Sequence, residues 1–402
     1  MRGHVKLACL TMLLVTGLAM LACGPKEVVD LDDPWGVIEV TRNESVVIGL
    51  ATATSAPGFD ELSTDQVRGA ELAIWQHGRV KGFSLYLGVV DEQCSEDGGM
   101  AAARAYTSNS KIVAIIGHAC SSSCLAAAPL YSEAGYTMIS PSCGAMALTS
   151  QDDHEDAFMR TIHNDAVEAT LAARFAYYEL GARQVAIVHD DSPESADLVA
   201  TFETIYTSTG GTIVAKEVMP SDEQDLRPLI DILRESAPDM LYAPLPPAQA
   251  TQLTTQWYEQ AAASRDIPLL GGRYFWNTQI IDQAGEAAEG LYAIGPVVDA
   301  EEYERLSNLY LNRYGEPPYS PLFAYAYDAA ELILQAIEEV GVIDEEGTLH
   351  IGREALSEAL YSTSTYPGLT GNMTCTNLGD CSAEEIGVMQ VKDGEWVIVY
   401  IP

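Results

Sequence analysis

The sequence predicts an α/β protein whose strands lie in parallel sheets, arranged as two blocks of similar rhythm. Three observations carry this. From Val46 onward, short β-type runs alternate with helical stretches, the signature of helices layered on a parallel sheet. The chain has 402 residues, and beyond about 300 residues two core-bearing units are favoured over one. Finally, the apolar run Ile112-Val-Ala-Ile-Ile116 breaks at Gly117 and is followed by Ser121-Ser-Ser123 and a helical pattern. A strand that delivers hydroxyls and free N–H groups to a helix N-terminus makes an anion site.

The elements follow in order. Residues 46–50 read as a strand and 64–77 as a helix capped by Thr64. Residues 85–90 form the next strand, 99–108 a helix, 112–116 a strand, 121–134 a helix and 136–140 a strand. The second block opens with a helix over 166–180 and a strand over 184–188 that ends in His189-Asp190-Asp191, then a helix over 194–209. The rhythm continues through 212–218, 226–236, 240–243, 248–263, 268–271 and 291–294. Long helices return at 301–314 and 321–340, and the chain ends in a hairpin turned at Asp393-Gly394. Ligands of open α/β sheets bind beyond the carboxyl ends of the strands. That singles out the loops 51–63, 118–123, 140–145, 189–194, 243–247 and 272–276.

Charge and targeting narrow the class. Lys and Arg number 21 against 58 Asp and Glu, a net charge of −37. Nucleic acid is excluded, since phosphate contacts need a basic surface, as is adhesion to anionic lipid headgroups; most of these charges are a solvated surface. Arg2 and Lys6 precede an apolar run over 7–21 that is short for a membrane span. Met20-Leu21-Ala22-Cys23-Gly24 then resembles a bacterial lipoprotein signal, with cleavage before Cys23 and a lipid on its thiol, although Met20 stands where leucine is usual. Ordinary secretory cleavage near the same place is the alternative. Residues 1–22 are thus a signal peptide, 23–45 a solvated tether and Val46 the start of the folded body, which is exported and held on a bacterial membrane facing the periplasm or cell exterior. No later segment is apolar enough to span a bilayer.

Eight cysteines are present, and Cys9 and Cys23 belong to the signal and the anchor. The remaining six, an even number in an exported chain, read as disulfides of open connectivity, with Cys375 and Cys381 the easiest local pair. None has the spacing of a zinc site, and no GxGxxG fingerprint marks a dinucleotide, so neither metal nor cofactor is expected. His118 close to Ser121, with Asp190 or Asp191 to orient it, invites a hydrolase reading. No GxSxG elbow supports it, and residues so near in sequence rarely form a triad. The chain reads as a binding protein, not an enzyme.

Taken together, VVIGLATATSAPGF, RGAELAI, VVDEQC, IIGHACSSS, TMISPSC, MRTIHND, VAIVHDD, AEGLYAIGP and YAYDAAELILQAI resemble, in order and spacing, the periplasmic leucine/isoleucine/valine-binding protein family, the type I solute-binding proteins of ABC transporters. The resemblance covers about 46–400. It implies a clamshell of two Rossmann-like lobes joined by a three-crossing hinge, with 46–164 and 296–382 as lobe one and 165–295 and 383–402 as lobe two. It also implies a monomer that captures a small carboxylated solute (an amino acid or related organic acid) for an ABC permease; a ligand-sensing receptor component on the same clamshell is the alternative.

The family disulfide corresponds to Cys94–Cys120, which leaves Cys124–Cys143 as a second pair beside Cys375–Cys381. The resemblance places the ligand carboxylate on Ser121 and Ser122, and on a second loop of Ser142, Cys143 and Gly144, where Gly144 replaces a common threonine. In lobe two, Glu194 stands at or near an aromatic position. Arg273 stands at or near the acidic residue that meets the ligand ammonium. A guanidinium there favours a second carboxylate on the ligand, unless it turns to solvent or pairs with Asp190. If Glu194 or Asp165 reaches the cleft, an amino acid remains suitable. Tyr274 and Trp276 are candidates to stack on the ligand.

Overall fold

The computed structural model describes residues 32–190, 192–220, 222–260, 267–298, 300–382 and 386–402. The expected signal peptide and the lipidation site Cys23 lie outside the described residues.

Two sheets organise the chain. The first has the strand order Arg79–Val80, Phe83–Asp91, Ser45–Thr52, Ile112–Gly117, Met138–Ser140, Phe158–Arg160. Its pairings are parallel apart from that of the first, two-residue strand. Ser45–Thr52 pairs residue for residue with Phe83–Asp91, from Ser45 opposite Ser84 to Thr52 opposite Asp91. The second sheet runs Glu395–Tyr400, Ile386–Lys392, Tyr292–Pro296, Leu269–Gly271, Met240–Ala243, Gln184–His189, Thr212–Val218. Ile386–Lys392 runs antiparallel to Tyr292–Pro296, and Glu395–Tyr400 pairs antiparallel with it in turn. The strands of the first sheet thus end at Arg160 and those of the second begin at Gln184; after Pro296 helix Phe323–Val340 packs on the first sheet, and Ile386–Lys392 belongs again to the second.

Helices cover both faces of the first sheet, which is why its central strands are continuous apolar runs and not alternating ones. Asp60–His77 and Phe323–Val340 pack on one face around Ile48, Ala70, Ile333 and Ile337. Glu96–Thr107 and Ser121–Ala134 close the other around Tyr106, Ile115, Tyr131 and Met138. The second sheet has its own two-sided core, with Trp257 and Leu253 on one face and Phe202 and Tyr206 on the other. Trp276 packs at the edge of the former instead of lining the cleft.

The structure corrects several expectations. The folded body begins before Val46: Val37–Val40, placed in the tether by sequence, is a strand antiparallel to Leu349–Gly352 with Ile38 and Val40 buried. Asp33 anchors this segment by accepting from the N–H groups of Glu354 and Ala355 in the first turn of helix Arg353–Tyr361. Thr64 is not a cap. Its helix starts at Asp60, where two acidic residues suit the positive end of the dipole, and the Thr64 hydroxyl donates to the Asp60 carbonyl. The helix expected at 99–108 begins at Glu96, because Ser95 caps it by accepting from Gly98 N–H at 3.1 Å. The helix expected at 166–180 is Asp165–Arg174 followed by a π-helical turn, Phe175–Glu179.

Candidate functional site

Strand Ile112–Gly117 carries the first wall of the site. Gly117 has φ +119°, and any side chain there would strike the Ala51 carbonyl on the neighbouring strand, so only glycine suits this exit. The chain then turns through His118 to helix Ser121–Ala134. Glu92 holds the turn from beneath: one carboxylate oxygen takes the Cys120 N–H at 3.1 Å, the other lies 2.8 Å from His118 Nδ1. His118 Nε2 lies 3.1 Å from the Tyr131 hydroxyl. With both ring nitrogens engaged and the residue buried, His118 is a structural support and not a base for Ser121. Disulfides Cys94–Cys120 and Cys124–Cys143 flank the serines on either side.

Ser121 and Ser122 open the helix and line a cavity of about 650 Å³ between the two sheets. The first N–H groups of a helix have no intrahelical partner, so this end presents donors and a positive dipole to the cavity. The Ser121 hydroxyl accepts from Ala145 N–H at 3.2 Å, which leaves its own proton to donate.

The second loop behaves differently. Ser142 is buried, donating to the Ala119 carbonyl at 2.7 Å and accepting from Gln66 Nε2 at 2.8 Å. Its hydroxyl is spent inside the fold. Cys143 is occupied by its bond to Cys124. Gly144 lies against the Asp165 carboxylate and the Arg273 guanidinium, and a side chain there would overlap both. None of Ser142, Cys143, Gly144 and Asp165 lines the cavity, which corrects their expected place on it.

The opposing wall comes from the second sheet. Beyond strand Gln184–His189, Asp190 accepts from the Ser192 hydroxyl at 2.6 Å, and Ser192 caps helix Pro193–Thr209. That places Glu194 in the helix's first turn, half-buried on the cavity. Pro244, Leu245 and Pro246 follow strand Met240–Ala243, and Arg273 and Tyr274 follow Leu269–Gly271. Tyr274 donates to Glu194 at 3.4 Å and meets the ring of Phe59, from the opposite wall, edge-on at 5.9 Å.

Arg273 reaches the cavity wall, yet its charge is already met. Its Nε donates to Glu168 at 2.7 Å, its backbone N–H to the other Glu168 oxygen at 3.1 Å, and its Nη2 to Asp165. Glu168 also meets His163 Nε2 at 3.2 Å. Burial works to raise the Glu168 carboxyl, but Arg273 and His163 outweigh it and hold it at about 2. Burial pushes Asp165 up, with Glu168 adding repulsion and Arg273 opposing. The expectation that Arg273 inverts the charge preference of the cleft therefore fails, as does its pairing with Asp190: two buried carboxylates neutralise it. Glu168 is the residue the sequence reading missed; its signal was an acidic residue three positions after Asp165, opposite the single cation of GGRYFW. Glu194 is pushed up to about 8 by burial and by repulsion from Asp165 and Asp190, only partly offset by Arg273.

The profile of the family described as periplasmic binding protein matches residues 45–395. The leucine-, isoleucine-, valine-, threonine- and alanine-binding protein of Pseudomonas aeruginosa is 25% identical over 341 residues, covering 84% of this chain and 87% of the relative. The Leu/Ile/Val-binding protein of Escherichia coli is 26% identical over 256 residues, 63% of this chain and 68% of that one. Among solved structures, the branched-chain amino acid transporter substrate-binding protein of Streptococcus pneumoniae with isoleucine superposes with a TM-score of 0.78 at 21% identity, covering 89% of this chain and 99% of that one. A solute-binding protein of an ABC transporter from R. palustris, in complex with benzoate, has a TM-score of 0.78 at 19% identity, with 89% and 96% covered. These two likenesses concern the fold.

Proposed function

The chain belongs to the periplasmic binding protein family, and from that premise we propose that it captures a small carboxylated solute between its lobes and presents the closed form to an ABC permease. One observation carries the reading: a hydroxyl-lined helix N-terminus, at Ser121 and Ser122, opens into a cavity of about 650 Å³ at the carboxyl ends of both sheets. Donors of this kind stabilise an anion without a metal or a basic patch. Family membership sets the task as binding and not catalysis, and places it outside the cytoplasm. The relatives supply the solute class, since their names and complexes include leucine, isoleucine and benzoate, each a carboxylate or carrying one.

Closure draws on a contact that spans the cleft, Phe59 on Tyr274. A solute that touches both walls favours the closed form by its differential affinity. Anchoring through Cys23 belongs to the same proposal, with metabolic lipid labelling lost in Cys23→Ala as its check. The binding test is calorimetry with carboxylated solutes. A hit whose affinity falls about 10-fold or more in Ser121→Ala supports the reading, and a hit indifferent to that substitution overturns the carboxylate assignment.

A further inference from the structure

The charge on the cavity wall is one-sided. Five carboxylates line it, from Glu96, Glu168, Asp190, Glu194 and Asp197, against the one guanidinium of Arg273 among the described residues. That guanidinium is committed to Glu168 and to Asp165 behind it. With Glu168 paired and Glu194 holding a proton near neutrality, the negative charge left on the wall is that of Asp190, Asp197 and the exposed Glu96, beside a partly desolvated cavity where a field is stronger than on an open surface. We propose that the solute is a cation: an amino acid whose side chain carries a second amine, its carboxylate on Ser121 and Ser122 and its amines toward Glu194 and Asp190. The inference rests on the solute-capture reading above and adds the charge of the solute.

The groups facing Glu194 come from three elements. Asp165 and Glu168 lie on helix Asp165–Arg174, Asp190 follows strand Gln184–His189, and Arg273 and Tyr274 follow Leu269–Gly271. Arg273 is the cation among them, and it is outweighed: the empty cleft keeps a proton on Glu194 up to about pH 8. Burial, the largest cause of that raised value, favours no charge, but the repulsion from Asp165, Asp190 and Glu168 that adds to it is relieved by an ammonium, which also brings three donors. A neutral zwitterion compensates this field less, and a dicarboxylate adds to it. The opposite pole is equally distinct. The N-terminus of helix Ser121–Ala134 offers the N–H donors there, whereas Arg273, 2% exposed, has its guanidinium taken up by Glu168 and Asp165. Leu125 and Leu198 on the wall suit the methylene stem of a long basic side chain.

Calorimetry on the exported chain with L-lysine, L-ornithine and L-arginine, against L-norleucine, L-leucine and benzoate, tests this. Norleucine is lysine without the second amine. At least one basic amino acid is expected to bind about 100-fold tighter than norleucine. Glu194→Gln is expected to weaken that amino acid about 10-fold or more, and norleucine, which brings only its α-amine, by less. Norleucine, leucine or benzoate binding as tightly as all three basic amino acids overturns the inference alone, as does an equal loss for lysine and norleucine in Glu194→Gln. Binding of none of the six, in a chain that melts cooperatively, overturns the solute-capture reading and the inference with it.

Discussion

Arg273 and Glu168 form a buried two-point contact: the guanidinium Nε donates to one carboxylate oxygen at 2.7 Å and the Arg273 backbone N–H to the other at 3.1 Å. Asp165 completes the cluster from one helical turn earlier. The arrangement ties the loop after Leu269–Gly271 to the start of helix Asp165–Arg174, the point where the chain has just crossed from the first sheet. Arg273 thereby serves the framework of the hinge as much as the cavity.

Removing that cation leaves Asp165 buried without its ion-pair partner and Glu168 with His163 alone. Arg273→Met is expected to destabilise the protein by about 3–5 kcal/mol, measured as a shift in the urea midpoint. Adding Glu168→Gln should recover part of the loss, because one buried charge is then gone. The two substitutions will not be additive.

Gly144→Ala should be destabilising by about 1–3 kcal/mol, since the methyl would overlap the Asp165 carboxylate and the Arg273 guanidinium. Thermal melts of Gly144→Ala, of Arg273→Ala and of the double variant separate the causes. A smaller penalty for Gly144→Ala in the Arg273→Ala background assigns it to crowding by the guanidinium, whereas an unchanged penalty assigns it to Asp165.

These residues also mark where sequence reading succeeds and stops. The helix Ser121–Ala134 has the ends that the sequence suggests, because its signals are local: serines at the start and Gly135 at φ +68° to end it. The strand alternation is equally local. Arg273 is different, since its partners lie 105 and 108 residues upstream, and no local pattern tells whether a lone arginine meets solvent, ligand or two carboxylates. Ser142 fails for the same reason: Gln66, 76 residues away, takes up its hydroxyl. Val37–Val40 looks like tether because its partner strand, Leu349–Gly352, lies at the far end of the chain. The family resemblance carries the fold, but it does not say which distant residues these positions meet.

The second disulfide has a measurable part in the first wall. Cys124 and Cys143 are buried and join the serine helix to the Ser142 loop across 19 residues. Replacing both with alanine should cost about 2–4 kcal/mol and weaken solute binding, because the Ser121–Ala145 contact bridges the same two segments. Denaturant melts and calorimetry on the double variant check the two effects separately.

Phe59 and Tyr274 meet at 5.9 Å with their planes 82° apart, one ring from each wall. Such pairs contribute about 0.5–1.5 kcal/mol beyond their buried area, and this one joins the two walls of the cavity. Phe59→Ala should therefore weaken binding about 10-fold through faster dissociation, with little change in association rate. Stopped-flow measurement of both rates decides whether the pair acts as a closure contact.

Glu194 gives the stability of the empty protein a pH dependence of definite sign. Its ordinary value is 4.5, and burial with repulsion from Asp165 and Asp190 carries it to about 8 in the folded chain. Between those values the folded state keeps a proton that the unfolded state has released, so stability falls as pH rises through the window. Asp65, raised to about 7, and Asp328, raised to about 6, act in the same direction, both through burial. Glu168 acts oppositely but below it: held at about 2, its contribution is present above 4.5 and disappears only in stronger acid. His163, lowered mainly by burial, disfavours the fold as pH falls below its ordinary 6.5, so the raw melting curve mixes several groups. The difference between wild type and Glu194→Gln isolates one. That difference should favour wild type most near pH 5 and shrink steadily toward pH 8; a flat difference would show that Glu194 ionises in the folded protein as it does in water.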